Sequence, residues 1–191
     1  MAFKSLSFMT PSTRRASWSG AALGLALAGV LAAGAATAEQ KHREDVDVAA
    51  ASNDGVRYFN AEDIPTFNIN DKGEVDWPTF SGFRRYHAEC HVCHGPDGEG
   101  STYAPALKNS ALNLDYYAFV EVVASGRQVT GASGNSVMPA FGTNKNVMCY
   151  LDDIYSYLRA RGMDALPRGR PAKREAKSPE FDAAEKECMD G

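Results

Sequence analysis

The chain has 191 residues, 44% of them hydrophobic and 23% charged, with a formal net charge of -4. That length holds one domain plus extensions, and the balance of apolar and charged residues excludes a disordered chain, a collagen-like repeat and a polytopic membrane protein. Residues 1–38 contribute Lys4, Arg14 and Arg15 and no acid, so the rest carries 17 basic against 24 acidic residues, a net of -7 that argues against nucleic acid as a partner.

Residues 1–38 read as a cleaved signal peptide. A basic opening leads into an unbroken small-apolar run from Ala21 to Ala36, closed by the A-x-A pattern Ala36-Thr37-Ala38. Cleavage after Ala38 makes Glu39 the new terminus and sends the chain out of the cytoplasm. The competing reading is an uncleaved anchor, for which a bilayer asks about 20 apolar residues.

Residues 39–78 form an acidic arm with ten acids against four bases, expected to be largely irregular. Within it, alternating residues on either side of Asn70-Asp71-Lys72-Gly73 predict a small hairpin with Gly73 in the left-handed position. Helical periodicity then sets in, with Phe80, Phe83 and Tyr86 predicting a helix from about Thr79 to Cys90. A second helix is marked by Asp115 as N-cap and Gly126 as stop, and a third runs from about Asn146 to Gly162. Between them lies a glycine-rich stretch, Gly126 to Gly142, expected to be a loop. Residues 163–191 are a tail with Pro167, Pro171, Pro179 and a basic cluster, then a segment long enough for a helical turn or two.

The chemistry lies in Cys90-His91-Val92-Cys93-His94, a C-x-x-C-H sequence. Two thiols at that spacing add to the two vinyl groups of one haem, and the adjacent His94 then presents its imidazole to the iron. A thioredoxin-like pair would want a strand before the motif, and a zinc site would want a second Cys or His pair downstream. For the sixth iron ligand the candidates are Met138, Met148, Met163, Met189, His42 and His87. Met138 is favoured, because Pro139 blocks a helix there and lets the chain bend toward the iron. Met148 falls inside the third helix, where methionine is more often a gap filler. Asp97 with Glu99, and Asp152 with Asp153, read as turn or surface carboxylates.

At this point a resemblance carries further. Gly82, Tyr86, Cys90, Cys93, His94, then Ala104-Pro105-Ala106-Leu107, Met138-Pro139 and Ile154-Tyr155-Ser156-Tyr157-Leu158 together resemble a class I cytochrome c over residues 79–162. The resemblance implies an all-α fold, three to five helices around one covalently bound haem c, flanked by the irregular arm and the tail. It implies that Gly82 and Tyr86 cross Tyr157, and that the Pro105 carbonyl receives the proximal histidine. In overall layout the chain is similar to the four-cysteine c-type cytochromes of methanol metabolism in methylotrophic bacteria. That similarity implies a periplasmic electron carrier, without a membrane span once the signal is gone. Its donor would be a quinoprotein methanol or alcohol dehydrogenase carrying pyrroloquinoline quinone, and its acceptor another cytochrome c or a terminal oxidase.

Cys149 and Cys188 remain once the haem cysteines are set aside, and in an oxidising compartment an even remainder predicts a disulfide. On a helical wheel Cys149 lies about 200° from Val147, away from the core side. Two functional readings stay open. One is a one-electron carrier with His94 and Met138 both on the iron. The other is a small haem enzyme or gas sensor with an open sixth position.

Overall fold

The structure, a computed structural model, describes residues 45–131 and 134–191. The signal segment and His42 lie outside the described residues. None of the described helices is long and apolar enough to cross a membrane.

The arm is largely irregular, as expected, but it is pinned by three two-residue strands. Strands β1 (Ser52–Asn53), β2 (Tyr58–Phe59) and β3 (Pro65–Thr66) form an antiparallel sheet in that order, with Ser52 opposite Phe59 and Tyr58 opposite Thr66. Asn60 is the local reason. Its buried side chain accepts from the Glu62 and Ile64 N–H groups and donates to the Asp47 carbonyl, which replaces a missing ladder with side-chain bonds. The expected hairpin is present as a single bridge between Ile69 and Val75, with Gly73 at φ 70° donating its N–H to the Asn70 carbonyl.

Helix α1 (Trp77–Glu89) begins where Asp76 caps it, accepting from the Thr79 N–H at 2.8 Å, with a proline in the first turn. The other Asp76 oxygen accepts from the Asn68 N–H, so one carboxylate ties the hairpin to the helix. Helix α2 (His91–His94) and a 3-10 turn (Pro96–Gly98) follow, then α3 (Leu107–Asn113) and α4 (Tyr116–Ser125). Asp115 caps α4 through the Ala118 N–H, and Gly126, at φ 73°, ends it. The glycine-rich stretch holds a second antiparallel pair, β4 (Arg127–Gly131) with β5 (Gly134–Met138), in which Arg127 lies opposite Met138. Its β-branched Val129, Thr130 and Val137 suit a strand, and the glycines concealed that preference.

The third predicted helix is split. Helix α5 (Lys145–Met148) ends at Cys149, and α6 (Leu151–Gly162) restarts after Tyr150. The tail ends in α7 (Pro179–Asp190), capped by Ser178, three turns rather than one or two. An all-α fold of three to five helices is therefore corrected. Among the described residues there are seven α-helices, one 3-10 turn and five short strands. The additional helices include the four-residue α2 and α5 and the seven-residue α3, too short for periodicity to register.

Helix α6 is the centre of the molecule. All its residues but Asp152 are buried, including Asp153, Arg159 and Arg161. In front, α1 crosses it so closely that a Cβ on Gly82 would stand 1.9 Å from the Asp153 carbonyl oxygen. Tyr86 and Tyr157 meet at that crossing with ring centroids 5.7 Å apart. Below, α3 approaches at Gly162, where a Cβ would meet the Lys108 carbonyl at 2.4 Å. Behind, the arm covers it: Arg159 donates to the carbonyls of Pro65 and Asp47, and Arg57 Nε donates to Asp153 at 2.7 Å. Asp153 is thus a buried ion-pair partner, not the surface carboxylate that its place beside Asp152 suggests.

Burial pushes the Asp153 carboxyl up to about 7, with Arg57 opposing the shift. The folded chain then keeps a proton that the unfolded chain releases near pH 4. Stability from this group is full below that pH and falls as pH rises toward 7. Asp153→Asn should flatten this slope. Thermal melts of both proteins between pH 4 and 7 check it, and parallel slopes would exclude Asp153 as the cause.

Candidate haem site

The last turn of α1 ends with the Cys90 N–H on the Tyr86 carbonyl, and α2 continues with the Cys93 and His94 N–H groups on the Cys90 carbonyl. A single helical turn puts positions 90, 93 and 94 on one side, which is why the motif needs this spacing. Val92, between the cysteines, is 76% exposed, whereas His94 is 7% exposed. The chain then reverses. Gly95 adopts φ 71° where any Cβ would meet the Gly100 carbonyl at 2.2 Å, and the Gly100 N–H returns to the His94 carbonyl. Tyr86 Oη donates to the carbonyls of His94 and Gly95, pinning this reversal to α1.

The loop that follows brings the Pro105 carbonyl to 2.9 Å from His94 Nδ1. A carbonyl only accepts, so Nδ1 carries the proton and Nε2 keeps its lone pair for a metal. Cys90 and Cys93 are not joined in a disulfide. Burial pushes the Cys90 thiol up to about 12, the opposite of what a redox C-x-x-C pair needs. An alkylated sulfur, by contrast, suits a buried position. The donor set of two unpaired cysteines and one oriented imidazole therefore fits a covalently held haem.

Met138 closes β5, half-buried against the core. Its carbonyl lies 2.6 Å from where a Gly126 Cβ would be, so glycine there lets the returning strand reach the end of α4. The Phe141 and Gly142 N–H groups then bond to the carbonyls of Val123 and Ala124. His87 is engaged at both nitrogens, with Nδ1 on the Phe83 carbonyl and Nε2 toward Asp97. Met148 lies in α5, Met163 caps α6, and Met189 lies in α7, whose chain is bonded to α5 through Cys149 and Cys188. Sequence reasoning missed Asp97, a buried acid at φ 59° inside Pro96–Gly98, because a Pro-Asp-Gly tripeptide signals an exposed turn.

Comparisons with known proteins agree with this geometry. Residues 79–158 match a family model described as cytochrome C oxidase, cbb3-type, subunit III. The chain is 40% identical over 100 residues to cytochrome c-555 of Methylococcus capsulatus, covering 52% of this chain and 75% of that one. The crystal structure of the c-type cytochrome XoxG from Methylobacterium extorquens AM1 superposes with a TM-score of 0.68. The two share 52% identity over 78% of this chain and 90% of that one. The chain belongs to the class I c-type cytochromes.

This cytochrome is also 67% identical over 135 residues to cytochrome c-553I of Paracoccus denitrificans, covering 71% of this chain. It spans only 60% of the length of that relative. Its cofactor is covalently bound haem c, and its family consists of electron carriers rather than enzymes. Among such carriers it falls with the methanol-metabolism-related group.

Proposed function

We propose that the cytochrome carries single electrons in the periplasm, from a quinoprotein methanol or alcohol dehydrogenase to a second cytochrome c or a terminal oxidase. Cys90 and Cys93 would hold the haem through thioether bonds, and His94 and Met138 would ligate its iron. The observation that carries this reading is the His94 ring, buried and fixed at Nδ1 by the Pro105 carbonyl. Haem c held this way supplies a one-electron iron couple, and thioether ligation raises its potential. The chain's own part is to orient His94, deliver Met138 at the foot of the β4–β5 ribbon and keep water from the buried face. Export with cleavage after Ala38 belongs to the same reading, supported by the A-x-A pattern.

The negative surface bears on the donor. Asp45, Asp47, Glu62 and Asp63 are exposed, and three of them line a cavity of about 430 Å³ with Asp115 and Tyr117. Cys90, Cys93, His94 and Met138 take no part in that lining. Charge that steers a basic partner is then separate from the route by which the electron leaves. Because the arm holds Arg57 against Asp153, deleting it would disturb the fold, and charge substitution is the cleaner test. Asp45→Asn, Asp47→Asn, Glu62→Gln and Asp63→Asn combined should slow reduction by a purified pyrroloquinoline quinone dehydrogenase about tenfold at low salt. Stopped-flow rates across ionic strength read it. A rate indifferent to both salt and these charges would reduce the arm to a solvated surface, and no reduction at all would remove this class of donor.

A further inference from the structure

The region after the haem motif buries a charge with no evident use in ligation. Asp97 is 5% exposed and stands three residues after His94, so their Cα atoms are within about 11 Å of each other even along an extended chain. Its Oδ1 accepts from the Gly169 N–H at 3.0 Å and from the Tyr157 hydroxyl at 3.3 Å. Arg168 Nε is 3.5 Å from its Oδ2 on a side chain two-thirds exposed, so it offsets only part of that charge. Arg161 Nε bonds to the Asp97 backbone carbonyl and pairs its terminal nitrogen with Glu99, so its charge is already shared. His87 Nδ1 is bonded to the Phe83 carbonyl, and its Nε2 lies 3.4 Å from both the Asp97 backbone nitrogen and Asp97 Oδ1.

Burial pushes the Asp97 carboxyl up, but the Gly169 N–H, His87, Tyr157 and Arg161 more than offset this, and the group stays below the ordinary carboxylate range. The acid is therefore ionised at neutral pH, and the two groups that donate hydrogen bonds to it, the Gly169 N–H and the Tyr157 hydroxyl, are dipoles. A fixed negative charge in a poorly solvated place favours the oxidised, more positive iron over the reduced one. Two of its partners, Arg168 and Gly169, belong to the tail and not to the haem-binding helices.

We propose that Asp97 holds down the reduction potential of the iron bound at His94, and that the tail residues Arg168 and Gly169 tie that potential to the docking of the C-terminal segment. The inference rests on His94 as the iron ligand. Asp97 touches neither the iron nor the imidazole and acts through the field at the site.

Asp97→Asn tests it in the full-length, haem-loaded protein. Asparagine keeps the acceptor oxygen for Gly169 and Tyr157 and tolerates positive φ, so only the charge is lost. The expected result is a rise in midpoint potential equivalent to about a tenfold change in the one-electron equilibrium constant, or about 59 mV. The thermal midpoint and the visible spectrum should stay close to those of the unsubstituted protein. An unchanged or lower potential overturns the proposal. Should the variant lose its fold or its spectrum, Arg168→Gln decides, since that exposed side chain is expendable for folding. Removing its positive charge must lower the equilibrium constant at least twofold, and no shift overturns the proposal equally. A different failure marks the ligand assignment: His94→Ala that leaves the wild-type spectrum intact would remove the reading on which the inference stands.

Discussion

Met138→Ala should abolish the low-spin, methionine-ligated spectrum of the oxidised protein, including its weak near-infrared band, while haem stays covalently attached through Cys90 and Cys93. Alanine has no donor atom, and Met148, Met163 and Met189 lie on α5, at the end of α6 and on α7 respectively. The substitution should also lower the potential, because thioether ligation favours the reduced iron. Absorption from the visible into the near infrared, with denaturing electrophoresis stained for haem, separates loss of the ligand from loss of the cofactor. A spectrum indifferent to the substitution would assign the sixth position elsewhere. If the unsubstituted protein itself shows an open sixth position, the gas-binding reading replaces the carrier.

The second large effect concerns the bond between Cys149 and Cys188, whose Cα atoms are 5.8 Å apart with a sequence separation of 39. Replacing both by Ser releases a loop worth about 4 kcal/mol of unfolded-state entropy, which for a chain of this size lowers the thermal midpoint by roughly 10 °C. Cleavage of α7 by a protease should appear first. The tail is also held by Arg174 over the rings of Trp77 and Phe80, by the buried Phe181, and by the Tyr150 hydroxyl on Glu185 at 2.6 Å. The double variant should therefore remain folded at room temperature with its spectrum unaltered. Calorimetry with the same protein under reducing and oxidising conditions gives the difference directly, and equal midpoints would show that side-chain contacts alone hold the tail.

How far the sequence could be read follows from the kind of signal each part carries. The haem motif was legible because its residue types and spacing are dictated by one chemistry, and caps such as Asp115 and Gly126 were legible because they act within four residues. The Cys149 to Cys188 pairing was reached by elimination. The wheel placed Cys149 on the outer side of one continuous helix, whereas it caps α5 where that helix breaks. What holds the arm in place was hidden because it comes from partners far along the chain: Arg57 finds Asp153 and Val75 bonds with residues Lys173 and Glu175. Local composition carries no trace of such pairings. Asp97 and Asp153 were misplaced for the same reason, since a carboxylate reads as exposed until the group that compensates its burial is known.

The enclosure of α6 divides the molecule by how its parts can open. With α1 and α3 against it and the arm behind, its amides exchange with solvent only when the whole protein unfolds. The β4–β5 ribbon is exposed from Arg127 to Gly131 and again at Ser136 and Val137, and can fray without disturbing that helix. Met138 sits at the seam. If Met138 is the sixth ligand as proposed, the His94 side of the iron would be anchored to the slowest part of the protein through α1 and α2, and the other side to a ribbon that opens far more often. A foreign ligand competing for the iron would gain entry at the rate of that local opening, not at the rate of global unfolding.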